Sequence, residues 1–230
     1  MTPRSNNSST YTLFLFNVWF SSALCSQLLD ISGENEVLMK PHSFSSSGTI
    51  LNLTLSIEPL EVKLRGGIMT TRSYNKMIPG PTNRVRRGDT LIIRVENKLQ
   101  LPQDASGNPP NSCRDPNVTN LHTHGLHVSP LIPQDFVLQS IQPEDFDVYK
   151  YSIPKNHAGG TFFYHPHFHG STTMQVAGGM AGAIIVEDED EDKLPAWLKN
   201  LPEQIMLLNH FRVNVLNERE IGLPWNLPSW

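Results

Sequence analysis

The cleanest pattern in the chain runs over residues 50–57, where Leu51, Leu53, Leu55 and Ile57 alternate with Asn52, Thr54 and Ser56. Alternation with a period of two puts the apolar residues on one face and the polar ones on the other, which predicts a half-buried β-strand. The same phase returns over residues 90–96 through Leu91, Ile93 and Val95. Further strands are expected at 148–153, 161–168, 183–186 and 204–208, with a short helical turn within 171–182. Turn formers stand between them: Pro79-Gly80-Pro81, Arg87-Gly88-Asp89, and a loop over 101–116 rich in Pro, Asn, Asp and Ser. An Arg-Gly-Asp triplet can be an adhesion signal, but here it is expected to be a tight turn feeding a strand. Short strands separated by turns predict an all-β Greek-key sandwich.

Composition narrows the partners. Lys and Arg number 18 against 22 Asp and Glu, a net charge of −4, which argues against nucleic acid and leaves no polybasic membrane patch. A chain of 230 residues holds one large or two small domains. The run Glu187-Asp188-Glu189-Asp190-Glu191-Asp192 lacks the glycine turn and spaced ligands of a calcium loop, so it is expected to be a solvated linker. The expected organisation is a first domain over 45–187, the acidic linker at 188–193, and a partial start of a second domain over 194–230.

Residues 1–25 have the form of a signal peptide: Arg4, an apolar run from 11 to 20 interrupted by Thr12 and Asn17, and Ala23-Leu24-Cys25 before the cleavage point. The run is shorter than the roughly 20 residues a membrane span needs, so a secreted, extracellular protein without a membrane span is expected. Cys113 is then the sole cysteine of the mature chain, which suggests a partner elsewhere. The sequons Asn52-Leu53-Thr54 and Asn117-Val118-Thr119 are candidate glycan sites in that compartment.

The chemistry sits in two short motifs, His122-Thr123-His124 and His165-Pro166-His167. On a strand, residues i and i+2 face the same way, so each pair presents two imidazoles side by side, about 6 to 7 Å apart at Cα. Four such imidazoles suit copper, zinc or iron and can serve neighbouring ions. Around the second pair, Phe162, Tyr164, Pro166 and Phe168 share a core-like face, opposite Phe163, His165, His167 and His169. The aromatic residues Phe162, Tyr164 and Phe168 are expected to pack the core rather than relay electrons. Pro166 lacks an amide hydrogen, which places this segment at an edge or irregularity. His127 and His169 are candidate supporting hydrogen-bond partners, while His42, His157 and His210 are expected to be structural. The zinc and iron alternatives each lack a part. A metallo-β-lactamase-type site needs an aspartate where Leu126 stands, a cupin needs a glutamate soon after the pair, and a carbonic-anhydrase-like site leaves the second pair unused.

At these residues the chain resembles the multicopper oxidases, laccases among them. Tyr74-Asn75-Lys76-Met77-Ile78-Pro79-Gly80-Pro81, Arg87-Gly88-Asp89-Thr90, His122-Thr123-His124-Gly125 and Tyr164-His165-Pro166-His167 look like successive signatures of that family's N-terminal cupredoxin domain. The glycine-rich stretch 170–182 extends the match, which covers about residues 51–186, and 194–208 resembles the opening of the family's second cupredoxin domain. The resemblance implies a cupredoxin-like sandwich in which His122 binds the type 2 copper and His124, His165 and His167 bind the type 3 pair. It also implies an oxidoreductase that takes electrons one at a time from a small reducing substrate (a phenol, an aromatic amine or a metal ion) and passes four to dioxygen. The family's remaining cluster ligands and its type 1 copper site come from a later domain with a His-Cys-His segment, which this sequence does not contain. A missing cupredoxin domain or a partner chain is therefore implied. The alternatives are a non-catalytic copper-binding module and a short oxidase that completes its cluster by oligomerisation.

Overall fold

The first half of strand β2 (Ile50–Leu64) buries Leu51, Leu53, Leu55 and Ile57 and exposes Asn52 and Thr54, as alternation requires. The computed structural model describes residues 40–64, 67–100, 115–187, 195, 197, 201–211, 214–215 and 220–222. The expected signal peptide, Cys113 and the acidic linker lie outside these residues. Strand β2 is twice the expected length because it changes partners midway. Residues 50–57 pair in parallel with β5 (Thr90–Asn97), and 57–64 pair antiparallel with β3 (Gly67–Tyr74). Pro59 lies in the second half, where β5 no longer runs alongside and a missing amide hydrogen is tolerated.

The remaining elements are β1 (Ser43–Ser45), β4 (Gly80–Arg86), β6 (His122–His124), β7 (Phe146–Ser152), β8 (Gly160–His165), helix α1 (Thr172–Ala177), β9 (Gly182–Glu187), β10 (Asn214–Val215) and β11 (Glu220–Gly222). They form two sheets, ordered β1-β4-β9-β8-β6 and β10-β11-β3-β2-β5-β7. The core lies between them: Leu53, Leu55, Leu91, Ile93 and Tyr149 from one sheet meet Val85, Tyr164, Ile184 and Val186 from the other. Each such side chain, fully buried, contributes about 1.5–3 kcal/mol.

Several expectations are corrected. Pro79-Gly80-Pro81 is not a turn: Gly80 opens β4, and the reversal falls at Asn75 and Lys76, whose φ values are 54° and 53°. Residues 204–208 form no strand, and Met206 and Leu208 are 65% and 94% exposed. Instead β11 joins β3 in parallel, and Glu203 pairs with Arg84 of β4. Asn117 is buried, its Oδ1 accepting from Arg72 Nε at 2.9 Å and its Nδ2 donating to the Gln100 carbonyl at 2.7 Å. A glycan there is incompatible with this packing, whereas Asn52 is exposed. The Arg-Gly-Asp segment is a turn, with Gly88 at φ 84° and the buried Asp89 carboxylate accepting the Arg86 amide at 2.7 Å.

Candidate metal centre

Strand β6 is the edge of its sheet and pairs antiparallel with β8, with His122 opposite His165, Thr123 opposite Tyr164, and His124 opposite Phe163. That register puts His122, His124, Phe163 and His165 on one face and sends Thr123 and Tyr164 into the core. The His122 ring centroid lies 5.9 Å from that of His124, 5.2 Å from His165 and 5.1 Å from His167. Phe163 stacks against His124 at 4.5 Å and against His165 at 5.3 Å, and the two imidazole centroids are themselves 5.9 Å apart. His122, His124 and His165 can each turn a ring nitrogen to within 4.8 Å of the others.

The expectation of a strand over 161–168 carrying both histidines of the second pair is corrected: only His165 lies on it. Strand β8 ends at His165, because Pro166 cannot donate to the ladder, and His167 follows in irregular backbone. Its amide instead donates to Asn120 Oδ1 at 2.6 Å.

Two of the rings, those of His122 and His165, are oriented by hydrogen bonds at Nδ1. The Asp135 carboxylate is 2.8 Å from His122 Nδ1, and its other oxygen accepts the Thr123 amide at 2.9 Å. A carboxylate only accepts, so the proton sits on Nδ1 and leaves Nε2 as a lone-pair donor. His165 Nδ1 likewise donates to the Pro166 carbonyl at 2.8 Å. Burial holds the His165 pKa below its ordinary 6.5, the neighbouring imidazoles lower it further, and the Pro166 carbonyl opposes the shift. His165 is thereby kept neutral, the form a metal requires. His167 Nδ1 is buried and has no hydrogen-bond partner among the described residues. Clustered imidazoles with one orphaned nitrogen fit a copper or similar transition-metal ion.

Packing behind the site fixes the register. The Tyr164 hydroxyl donates to the Pro81 carbonyl at 2.8 Å, and its ring passes over Gly182, where a Cβ would collide with it. Helix α1 and its N-cap clamp the segment leading into β6. Gln175 Nε2 donates to the carbonyls of Pro116 and Val118 at 3.0 and 2.9 Å, and Ser171 Oγ to Val118 at 2.7 Å.

The other histidines lie apart. His127 is exposed, and its amide donates to Nε2 of the buried His157 at 2.9 Å, while His157 Nδ1 donates to the Ala158 carbonyl at 2.7 Å. His169 is exposed, with its ring 6.3 Å from that of His167. Neither His127 nor His169 hydrogen-bonds a cluster imidazole among the described residues; Asp135 and Asn120 hold the cluster instead. The sequence gives no local signal for those two, since their partners are 13 and 47 residues away. His42 is exposed against Phe44, and His210 lies in the exposed stretch 201–211.

A sequence model of the multicopper oxidase family matches residues 56–106 and 108–191. A multicopper oxidase of Mycobacterium tuberculosis is 28% identical over 66% of this chain, which covers 25% of that relative. Among solved structures, a multicopper oxidase from Campylobacter jejuni described as a metallo-oxidase superposes with a TM-score of 0.54 at 29% identity, over 71% of this chain and 32% of its own. A laccase from Pediococcus acidilactici gives a TM-score of 0.55 at 23% identity over 70% of this chain and 32% of its own, a likeness of fold alone. The chain thus spans between a quarter and a third of the length of these relatives.

Proposed function

The chain belongs to the multicopper oxidase family, and from that premise we propose that it is the N-terminal, copper-binding cupredoxin domain of a laccase-like oxidase, followed by the opening of a second cupredoxin domain. In this reading His122 holds the type 2 copper, and His124, His165 and His167 hold the type 3 pair. Copper cycling between Cu(I) and Cu(II) in a completed cluster couples single-electron oxidation of a phenol, an aromatic amine or a metal ion to the four-electron reduction of dioxygen to water. The observation that carries the reading is the β6–β8 register, which sets His122 directly across from His165 with His124 on the same face.

The chain's own residues prepare the site. Asp135 keeps a proton on His122 Nδ1 and so frees Nε2. Burial favours the neutral form of His165, and Phe163 packs its ring against both His124 and His165. The remaining ligands and the type 1 copper are supplied by a further cupredoxin domain or a partner chain. Leu131, Ile132 and Leu138, on the loop that carries Asp135, are 64–67% exposed, which supports a surface covered in the complete protein. Export through residues 1–25 belongs to the same proposal, and among the described residues no helix is long and apolar enough to cross a membrane.

The test is to load the 230-residue chain with copper and record its absorption, its electron paramagnetic resonance (EPR) spectrum and its oxygen uptake with a phenol. Copper bound by imidazoles, without the intense blue thiolate band and without phenol-driven oxygen uptake, is expected. Failure to bind copper, or sustained phenol oxidation by this chain alone, would overturn the proposal.

A further inference from the structure

Asn120, on the lead-in to β6, bonds to the segment that carries His167 and to the loop that carries Asp135. It lies two residues before the start of β6 and is fully buried. Its Oδ1 accepts the His167 amide at 2.6 Å, and its Nδ2 donates to the carbonyls of Val137 at 2.7 Å and Gln139 at 3.1 Å. One acceptor bond and both donor hydrogens are therefore in use.

These bonds reach both histidine pairs. His167 lies beyond the end of β8 and after a proline, so the sheet ladder gives it no support. Its backbone is placed by Asn120. Val137 lies two residues past Asp135, whose carboxylate sets the proton position and ring orientation of His122. The same amide group that holds His167 thus also fastens the loop that orients His122.

We infer that Asn120 is a positioning residue that sets where His167 stands against the β6 pair and how His122 is oriented, by fixing the His167 backbone at one end and the Asp135 loop at the other. The inference rests on the copper-site reading for its purpose, but its geometry concerns imidazoles alone and is measurable without metal. A residue that merely filled the core would affect stability and leave the rings where they are.

The test compares the 230-residue chain with N120A and N120D, with circular dichroism as the check on folding. Without metal, the readouts are hydrogen exchange at the His167 amide and the ¹⁵N shifts of the His122 ring, which report its tautomer. With metal, they are copper affinity and the EPR hyperfine splitting. For N120A the His167 amide is expected to exchange at least about tenfold faster. His122 is expected to lose its Nδ1–H preference, and copper to bind about 10- to 100-fold more weakly, the usual cost of removing an outer support from a metal ligand. N120D keeps the acceptor for His167 but offers at most one donor to the loop. His167 is therefore expected to stay protected while the His122 preference is lost, and this variant carries the test if N120A does not fold. A folded variant that keeps the native His122 tautomer and a copper affinity within about twofold of the parent would overturn the inference, even with lowered stability. If the parent chain takes up no copper, the copper reading fails by itself, and Asn120 is judged on exchange and tautomer.

Discussion

The two histidine pairs have the same spacing in sequence and are held in different ways. His122 and His124 both lie on β6, and a carboxylate from a distant loop orients His122. His165 and His167 straddle the end of β8: the first is oriented by the next residue's carbonyl, the second placed by a side chain that grips its backbone. The first pair therefore depends on loop 129–139, and the second on the register of a strand packed through Tyr164. A shared His-x-His pattern gives two imidazoles near one another, and the surrounding hydrogen bonds decide which nitrogen each presents.

The largest expected effect strikes the second pair through its register. Gly182→Ala places a methyl group on the Tyr164 ring and hydroxyl, while Tyr74 packs edge-on against that ring at 5.2 Å. Overpacking of this kind is expected to cost about 3 kcal/mol. Thermal denaturation should then show a fall in Tm of roughly 6–12 °C. An unchanged Tm would mean that Tyr164 does not lock the strand.

Asp135→Asn strikes the first pair. Asparagine can keep the Thr123 contact through its oxygen, but its amide then donates toward His122 Nδ1 and drives the proton to Nε2. A loss of about 10- to 100-fold in copper affinity is expected by titration, with little change in Tm. Equal affinity would remove the carboxylate from the account.

Acid should act on His165 more gently. The folded pKa of His165 lies below its ordinary 6.5, so the unfolded chain takes up this proton first. Stability is then independent of this group above the ordinary value and falls as pH drops through it toward the lower folded value. Denaturant titrations across that range should show the loss in the parent and a smaller one in His165→Gln. At the small end, His169→Ala is expected to leave copper stoichiometry and affinity unchanged, because its ring is exposed and hydrogen-bonds no cluster imidazole. A clear loss of copper would restore it as a supporting residue.

What was legible in the sequence followed from local periodicity. The alternation from Leu51 to Ile57 and through Leu91, Ile93 and Val95 marked the strands that carry one side of the core, and the spacing of four histidines marked the cluster. Strand β3 was obscured because it buries Thr71, Arg72 and Ser73, polar residues that break the apolar rhythm. The end of β8 turned on how far a strand continues past Pro166, a balance that periodicity does not report. Asp135 and Asn120 left no trace in the pattern, since each acquires its role only when loop 129–139 folds over β6.

The central claim is that His122, His124, His165 and His167 form one metal centre across β6 and β8. Its most direct test is copper stoichiometry by equilibrium dialysis, comparing the parent chain with His165→Ala/His167→Ala and with His42→Ala/His210→Ala as control. The first double variant is expected to lose copper uptake at the cluster while the control matches the parent. Unchanged stoichiometry in the first would contradict it.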